Sequence, residues 1–353
     1  MLAQAGRAHS TAERQGIDQG ALAASGCVAP AQVAAGLFSV RLPVPFSPWH
    51  VNAWLVEDGA GWTIIDTGTG DAASKTLWEQ VFADHLAGRP VTRVIVTHFH
   101  LDHVGLAGWL CARFGAPLWM ARTEWLQARA ALSEDAGLAL TQQQRLHRMA
   151  GCSDGFLAYL AQTQAFYTSA VKPLPACFVR LRDGDDVVIG DTRWQVLAAA
   201  GHAPEQICLF DAGRNLLIAA DHVLETISPY IGVVAAEPEG DPLGDYLAAL
   251  DRFKALPPET LVLPSHGAPF HGLHERIDAL LAGHARRLDQ IIGICDQPRT
   301  AADIASRLFR RALEHRQMKF AVGETLAHLN LLIRQKRVVR NGLGEAAHLY
   351  AVV

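Results

Sequence analysis

The segment Thr97-His98-Phe99-His100-Leu101-Asp102-His103 places three imidazoles and one carboxylate within six consecutive residues. Neutral imidazole nitrogen and carboxylate oxygen are the donors that zinc and similar divalent ions take. The apolar run Val91-Thr92-Arg93-Val94-Ile95-Val96 precedes it and reads as a buried strand from its β-branched content. A strand that ends in His-x-His-x-Asp-His delivers those donors to one place. Three more apolar runs end in one ligand-type residue each: residues 195–201 lead to His202, residues 216–220 to Asp221, and residues 261–265 to His266. Ligands at strand ends sit on a rigid frame, which fixes coordination geometry. The set is five histidines and two aspartates, too many for one tetrahedral ion and suited to two ions that share a carboxylate.

The ordered set His98, His100, Asp102, His103, His202, Asp221 and His266, with Asp66-Thr67-Gly68 after the apolar run Trp62-Thr63-Ile64-Ile65, resembles the dinuclear pattern of metallo-β-lactamase superfamily hydrolases. The resemblance spans roughly Leu37 to Gly267. It implies an αββα sandwich with the metal site at one edge of two sheets. It also implies that His98, His100 and His202 hold one ion, that Asp102, His103 and His266 hold a second, and that Asp221 bridges them. Zinc is the expected ion, with iron or manganese as alternatives.

Two metals can share one hydroxide as the nucleophile. Asp102 is the candidate catalytic group, able to orient that hydroxide or take its proton, and Asp66 is a candidate to fix a histidine tautomer. No Ser-His-Asp nucleophile elbow or Gly-rich phosphate loop is present. By resemblance, the bridging aspartate points to glyoxalase-II-like thioesterases, lactonases and nucleic-acid processing enzymes rather than true β-lactamases. His100 stands where di-iron oxidoreductases of the superfamily carry glutamate. Ala203-Pro204-Glu205-Gln206 departs from the Pro-Gly-His common in glyoxalase-type enzymes, which signals a different substrate. The expected reaction is hydrolysis of a small-molecule thioester, ester or lactone. The alternatives are a winged-helix endoribonuclease or phosphodiesterase and a mononuclear-iron oxidoreductase.

The positioning elements follow from pattern. Residues 51–62 read as strand, Gly-rich turn and strand, residues 72–86 and 104–114 as helices, and residues 187–197 as a hairpin. Between His103 and His202 lie 98 residues, and the extra length at about Thr123 to Lys172 reads as helix, its third helix running from Phe156 to Ser169. This insert is expected to cover the metal site with an apolar face. The alternatives are a peripheral bundle or a dimer surface, so a homodimer is left open. A long helix over residues 274–294 ends before Asp296-Gln297-Pro298-Arg299, and Thr300 caps a new one. A second helix over residues 322–337 and a hairpin complete a tail that resembles a winged helix.

The expected domains are a flexible N-terminal segment 1–35, a catalytic domain 36–295 and a winged-helix-like domain 296–353. The formal net charge of −4 favours no particular partner. Residues 296–353 carry ten Lys/Arg against five acidic residues. A basic face of this kind can grip phosphates, but charge runs are usually solvated surface and stacking aromatics are sparse there. A small-molecule substrate is therefore expected ahead of nucleic acid. No run of 18 apolar residues or secretory signal is present, and six scattered cysteines with no Cys-x-x-Cys pair fit a reducing cytoplasm.

Overall fold

The computed structural model describes residues 29–133, 136–163, 166–309, 312–342 and 346–353. Its elements are β1 (Ala31–Ala34), β2 (Leu37–Pro43), β3 (His50–Asp58), β4 (Gly61–Ile65), α1 (Ala72–Asp84), β5 (Val91–Val96), α2 (Leu101–Val104), α3 (Ala107–Phe114) and β6 (Leu118–Ala121). The insert follows as α4 (Arg122–Ser133), α5 (Ala136–Met149), α6 (Asp154–Thr163) and α7 (Phe166–Ala170). The second half comprises β7 (Val179–Leu181), β8 (Asp186–Ile189), β9 (Thr192–Ala199), β10 (Gln206–Asp211), β11 (Leu216–Ala220), α8 (Pro242–Phe253), β12 (Leu261–Pro264) and α9 (Leu273–Ile294). The tail is α10 (Ala301–Phe309), α11 (His315–Arg334), β13 (Val338–Asn341) and β14 (Leu349–Val352).

Strand side chains alternate between faces, and that alternation builds the layers. In β5, Ile95 points into the core between the two sheets, while Val94 and Val96 point the other way onto helices. In β4, Ile65 and Ile64 divide in the same manner. The first sheet runs β1 through β7 in sequence order, and the second runs β12-β11-β10-β9-β8. Trp54, Ile65 and Ile95 of the first meet Trp194, Val196, Leu209 and Ile218 of the second. Trp78 of α1 and Leu110 of α3 cover the first sheet's outer face, and Leu250 of α8 and Ile277 of α9 cover the second's. The result is the expected αββα sandwich.

Three boundaries differ from those the sequence suggests. The N-terminal segment was expected to stay loose to residue 35, but Ala31–Ala34 pair antiparallel with β2; the rest of that expectation, residues 1–28, lies outside the described residues. The insert's third helix starts at Asp154 rather than Phe156, and its described parts are α6 and α7, on either side of residues 164–165, which lie outside the described residues. Phe156, Leu157 and Leu160 of α6 are buried and pack with Met318 of the tail, whereas α7 lies against the metal-motif loop through Tyr167. Helix α11 starts at His315 rather than 322, because Glu314 and Gln317 form a reciprocal capping box.

The break at residue 296 separates elements but not cores. Ile304, Val322, Leu329 and Val338 of the tail belong to the same buried cluster as Leu217, Leu250 and Ile277 of the sandwich. Thr300 Oγ1 does accept the Asp303 amide, at 3.2 Å, as an N-cap. Among the described residues no helix is long and apolar enough to cross a membrane.

Candidate metal centre

The ligand-type residues lie where strands of both sheets end at one rim: beyond β5 (His98, His100, Asp102, His103), β9 (His202), β11 (Asp221) and β12 (His266). The turn into His202 needs Gly201. Its φ is +124°, and a Cβ there would lie 2.4 Å from the Tyr246 Cβ. The step into Asp221 is strained too: Ala220 has φ 47°, beside a register shift between β11 and β12. Such outliers persist where the surroundings over-determine them, commonly at functional sites.

All seven expected residues converge. His98 Nε2 lies 3.0 Å from His100 Nδ1, which lies 2.9 Å from His202 Nε2. On the other side, His266 Nε2 is 3.5 Å from Asp102 Oδ2, and His103 Nε2 is 3.8 Å from the same oxygen. Asp221 stands between the groups: Oδ2 is 3.3 Å from His202 Nε2 and 3.5 Å from His266 Nε2, and Oδ1 is 3.6 Å from His103 Nε2. Four histidines thus present Nε2, and His100 presents Nδ1.

Four of the five outward nitrogens have partners. His98 Nδ1 meets Thr97 Oγ1 at 3.0 Å, and His103 Nδ1 donates to Asp66 Oδ2 at 2.8 Å. His202 Nδ1 donates to the Tyr230 carbonyl at 2.8 Å, and His266 Nδ1 to the His50 carbonyl at 2.7 Å. Such partners fix the tautomer and leave the inner nitrogen a lone pair. Asp66, buried and at φ 60°, also accepts the Thr97 amide and hydroxyl at 2.8 and 2.9 Å.

The electrostatics suit divalent ions. Burial, then the neighbouring imidazoles, holds His98 and His100 well below the usual histidine range, so both rings are neutral. Burial would raise Asp221, but His266 and His103 hold it well below the usual carboxylate range. For His103 burial is outweighed by Asp102, Asp221 and Asp66, which raise it. His103 Nε2 and Asp221 Oδ1 are buried, with no hydrogen-bond partner among the described residues. Buried polar atoms rarely stay unpaired. Around a tetrahedral zinc, neighbouring donor atoms stand about 3.3 Å apart, close to the spacing within His98, His100 and His202. The residues present fit divalent metal ions.

Several residues around the centre escaped the sequence reading. Glu124 of α4 is fully buried, and its Oε2 and Oε1 accept the amides of Phe99 at 2.9 Å and Glu205 at 2.5 Å. Burial pushes its carboxyl up to about 7 against the pull of those two amides. Tyr167 donates to the Phe99 carbonyl at 2.7 Å. Asn52 Nδ2, from the first sheet, donates to the Pro264 and Gly267 carbonyls that flank His266, at 2.9 and 3.0 Å. His222, next to Asp221, packs its ring on Tyr246 and Phe253 and stays outside the cluster.

The Metallo-beta-lactamase superfamily pattern matches residues 47–266, and the Metallo-beta-lactamase-like, C-terminal domain pattern matches residues 288–351. The crystal structure of a beta-lactamase domain protein from Burkholderia ambifaria is similar with TM-score 0.85 and 40% identity, covering 94% of this chain and 97% of that one. The probable metallo-hydrolase YqjP of Bacillus subtilis (strain 168) is 26% identical over 308 residues, 86% of this chain and 93% of that protein. The acyl-coenzyme A thioesterase MBLAC2 of Bos taurus is 26% identical over 281 residues, 76% of this chain and 88% of that protein. With its sandwich, its strand-end donors and a match over more than half its length, the chain belongs to the metallo-beta-lactamase superfamily.

Proposed function

We propose that the protein is a dinuclear metal-dependent hydrolase of small-molecule acyl thioesters. The observation that carries this reading is Asp221, whose two oxygens face His103 on one side and His202 and His266 on the other. In this reading His98, His100 and His202 hold one ion, Asp102, His103 and His266 the other, and Asp221 both. A divalent pair supplies Lewis acidity that activates water and steadies charge developing on a carbonyl. In this reading Asp102, 7% exposed, would accept the proton of the attacking water on its carboxylate. The Phe99 and Glu205 amides, tied to Glu124, keep the two ligand loops from shifting as charge moves.

A thioester is favoured because the chain is similar to a bovine acyl-coenzyme A thioesterase across most of that protein. Charge at the tail agrees. Phe46, four residues before His50, packs edge-on against Phe166 at 6.2 Å and lies 5.2 Å under the Arg316 guanidinium. Arg316 meets no carboxylate among the described residues, which suits a substrate with an apolar acyl stem and an anionic carrier.

The nucleic-acid alternative loses support on the same ground. Arg299 and Arg307 pair with Asp303, Arg334 with Asp241, Arg337 with Asp289 and Arg340 with Glu239. Half of the tail's basic side chains are thereby neutralised locally, whereas phosphate binding needs them free.

The test is a substrate panel on metal-loaded protein: acyl thioesters, aryl esters, lactones, an activated phosphodiester and single-stranded RNA. Turnover of thioesters well above the rest is expected. Phosphodiester or RNA cleavage with inert thioesters would overturn the reading.

A further inference from the structure

Residues 221–241, between β11 and α8, contain no helix or strand. An unstructured connection of this length inside a compact body is uncommon and usually functional. This one begins at Asp221 and supplies, at Tyr230, the carbonyl that accepts His202 Nδ1–H at 2.8 Å.

Helix α11 of the tail holds the loop along its length. The Gly323 carbonyl accepts the Val233 amide at 3.1 Å. Asn330 Nδ2 donates to the Pro238 and Gly240 carbonyls at 3.1 and 2.8 Å. The Tyr230 ring stands edge-on to Phe320, centroids 5.0 Å apart.

That ring is also boxed by two glycines. A Cβ on Gly323 would lie 2.1 Å from the Tyr230 hydroxyl oxygen, and a Cβ on Gly232 would lie 2.0 Å from it. Neither glycine has a positive φ, so the backbone requires neither. Gly323 sits inside a helix, where glycine is the poorest residue after proline. What both supply is room for the phenol.

We propose that the C-terminal helix positions a metal ligand: Gly323 of α11 seats Tyr230, and the seated Tyr230 carbonyl fixes the tautomer and aim of His202. Tyr230 and Gly323 are positioning residues that act through His202. The tail thereby completes the site of His98, His100 and His202 although it contributes no ligand. The inference rests on the reading of His202 as a metal ligand.

The test compares wild type, Gly323→Ala, Gly323→Ala with Tyr230→Phe, and Phe320→Ala. Zinc affinity is measured by chelator competition and zinc content per chain, and melting temperature on the stripped proteins. Loss of an outer partner of a metal-bound histidine weakens binding about 10- to 100-fold. Gly323→Ala should therefore lose about tenfold or more at one of two zinc sites. Removing the phenol oxygen leaves the nearest ring atom 3.3 Å from the new methyl, so the double variant should recover the affinity. Phe320 is 44% exposed, so Phe320→Ala loosens the same ring without threatening the fold, and weaker zinc binding is expected there too. Wild-type zinc affinity in Gly323→Ala and Phe320→Ala, or a loss that Tyr230→Phe does not repair, would overturn the proposal. A wild-type protein that binds no zinc or other divalent ion would instead sink the hydrolase reading beneath it.

Discussion

Glu124 accepts the amide of Phe99 at 2.9 Å, and Phe99 is the residue between His98 and His100. With its other oxygen Glu124 accepts the amide of Glu205, three residues past His202. One buried carboxylate thus ties together the two loops that carry the His98, His100 and His202 cluster.

Glu124→Gln keeps a single acceptor oxygen, so one of the two loops is released. Zinc affinity should fall about tenfold, as for other outer partners of metal ligands. Glu124→Ala leaves both amides without a partner and should also cost about 2–4 kcal/mol of stability. Chelator competition and thermal unfolding check both effects; unchanged zinc affinity in the two variants would remove Glu124 from the account.

Removing residues 296–353 should abolish cooperative folding. The truncation strips Ile304, Val322, Leu326, Leu329 and Leu332 from the cluster that also holds Leu250 and Ile277. Each large buried side chain lost costs about 2–5 kcal/mol, against a total stability of about 5–15 kcal/mol. Circular dichroism and a melting curve decide. A truncated chain with a sharp transition and bound metal would show that the tail is a separable module, as the sequence break at Pro298 suggested.

The parts of the centre legible in the sequence and those hidden from it differ for a physical reason. His98, His202, Asp221 and His266 each follow an apolar strand, so strand pattern and ligand chemistry mark the same spot. Glu124, Tyr230 and Asn52 act on, or through, backbone groups 25, 28 and over 200 residues away. Backbone partners leave no trace in residue type, so these residues read as ordinary helix, loop and strand positions. The shared core was hidden likewise, because Pro298 marks a local break while contacts between α9 and α11 are tertiary. Gly323 carried a signal that could have been used: a glycine inside an otherwise strong helical pattern.

Acid should destabilise the fold through histidines buried in the neutral form. Burial, then Arg287, lowers His284 to about 4, and burial lowers His328 to about 3. Their rings face each other, His284 Nδ1 3.2 Å from His328 Nε2. Both folded values lie below the ordinary 6.5. The unfolded chain therefore binds more protons between those values, and stability is full above pH 6.5 and falls as pH drops toward 4. The loss should reach on the order of a few kcal/mol. Urea unfolding of metal-free protein at pH 7.5 and 4.5 measures it, and His328→Leu should flatten the difference. Equal stability at both pH values would contradict the buried neutral pair.

Arg316→Ala should separate carrier charge from chemistry. KM for a long-chain acyl thioester of an anionic carrier should rise about tenfold, the loss of one charge-assisted contact of about 1.4 kcal/mol. The value for a neutral thioester of the same acyl chain should hold, as should kcat for both. An equal change with both substrates would mean that Arg316 supports the fold and not the substrate.

The bridging role of Asp221 is the central claim, and metal content of Asp221→Ala tests it most directly. The substitution removes the one carboxylate that, among the described residues, faces both histidine groups. Wild type loaded with excess zinc and desalted should hold two ions per chain, and Asp221→Ala should hold fewer than one and hydrolyse no thioester. Two ions per chain in the variant, with thioester turnover intact, would contradict the account.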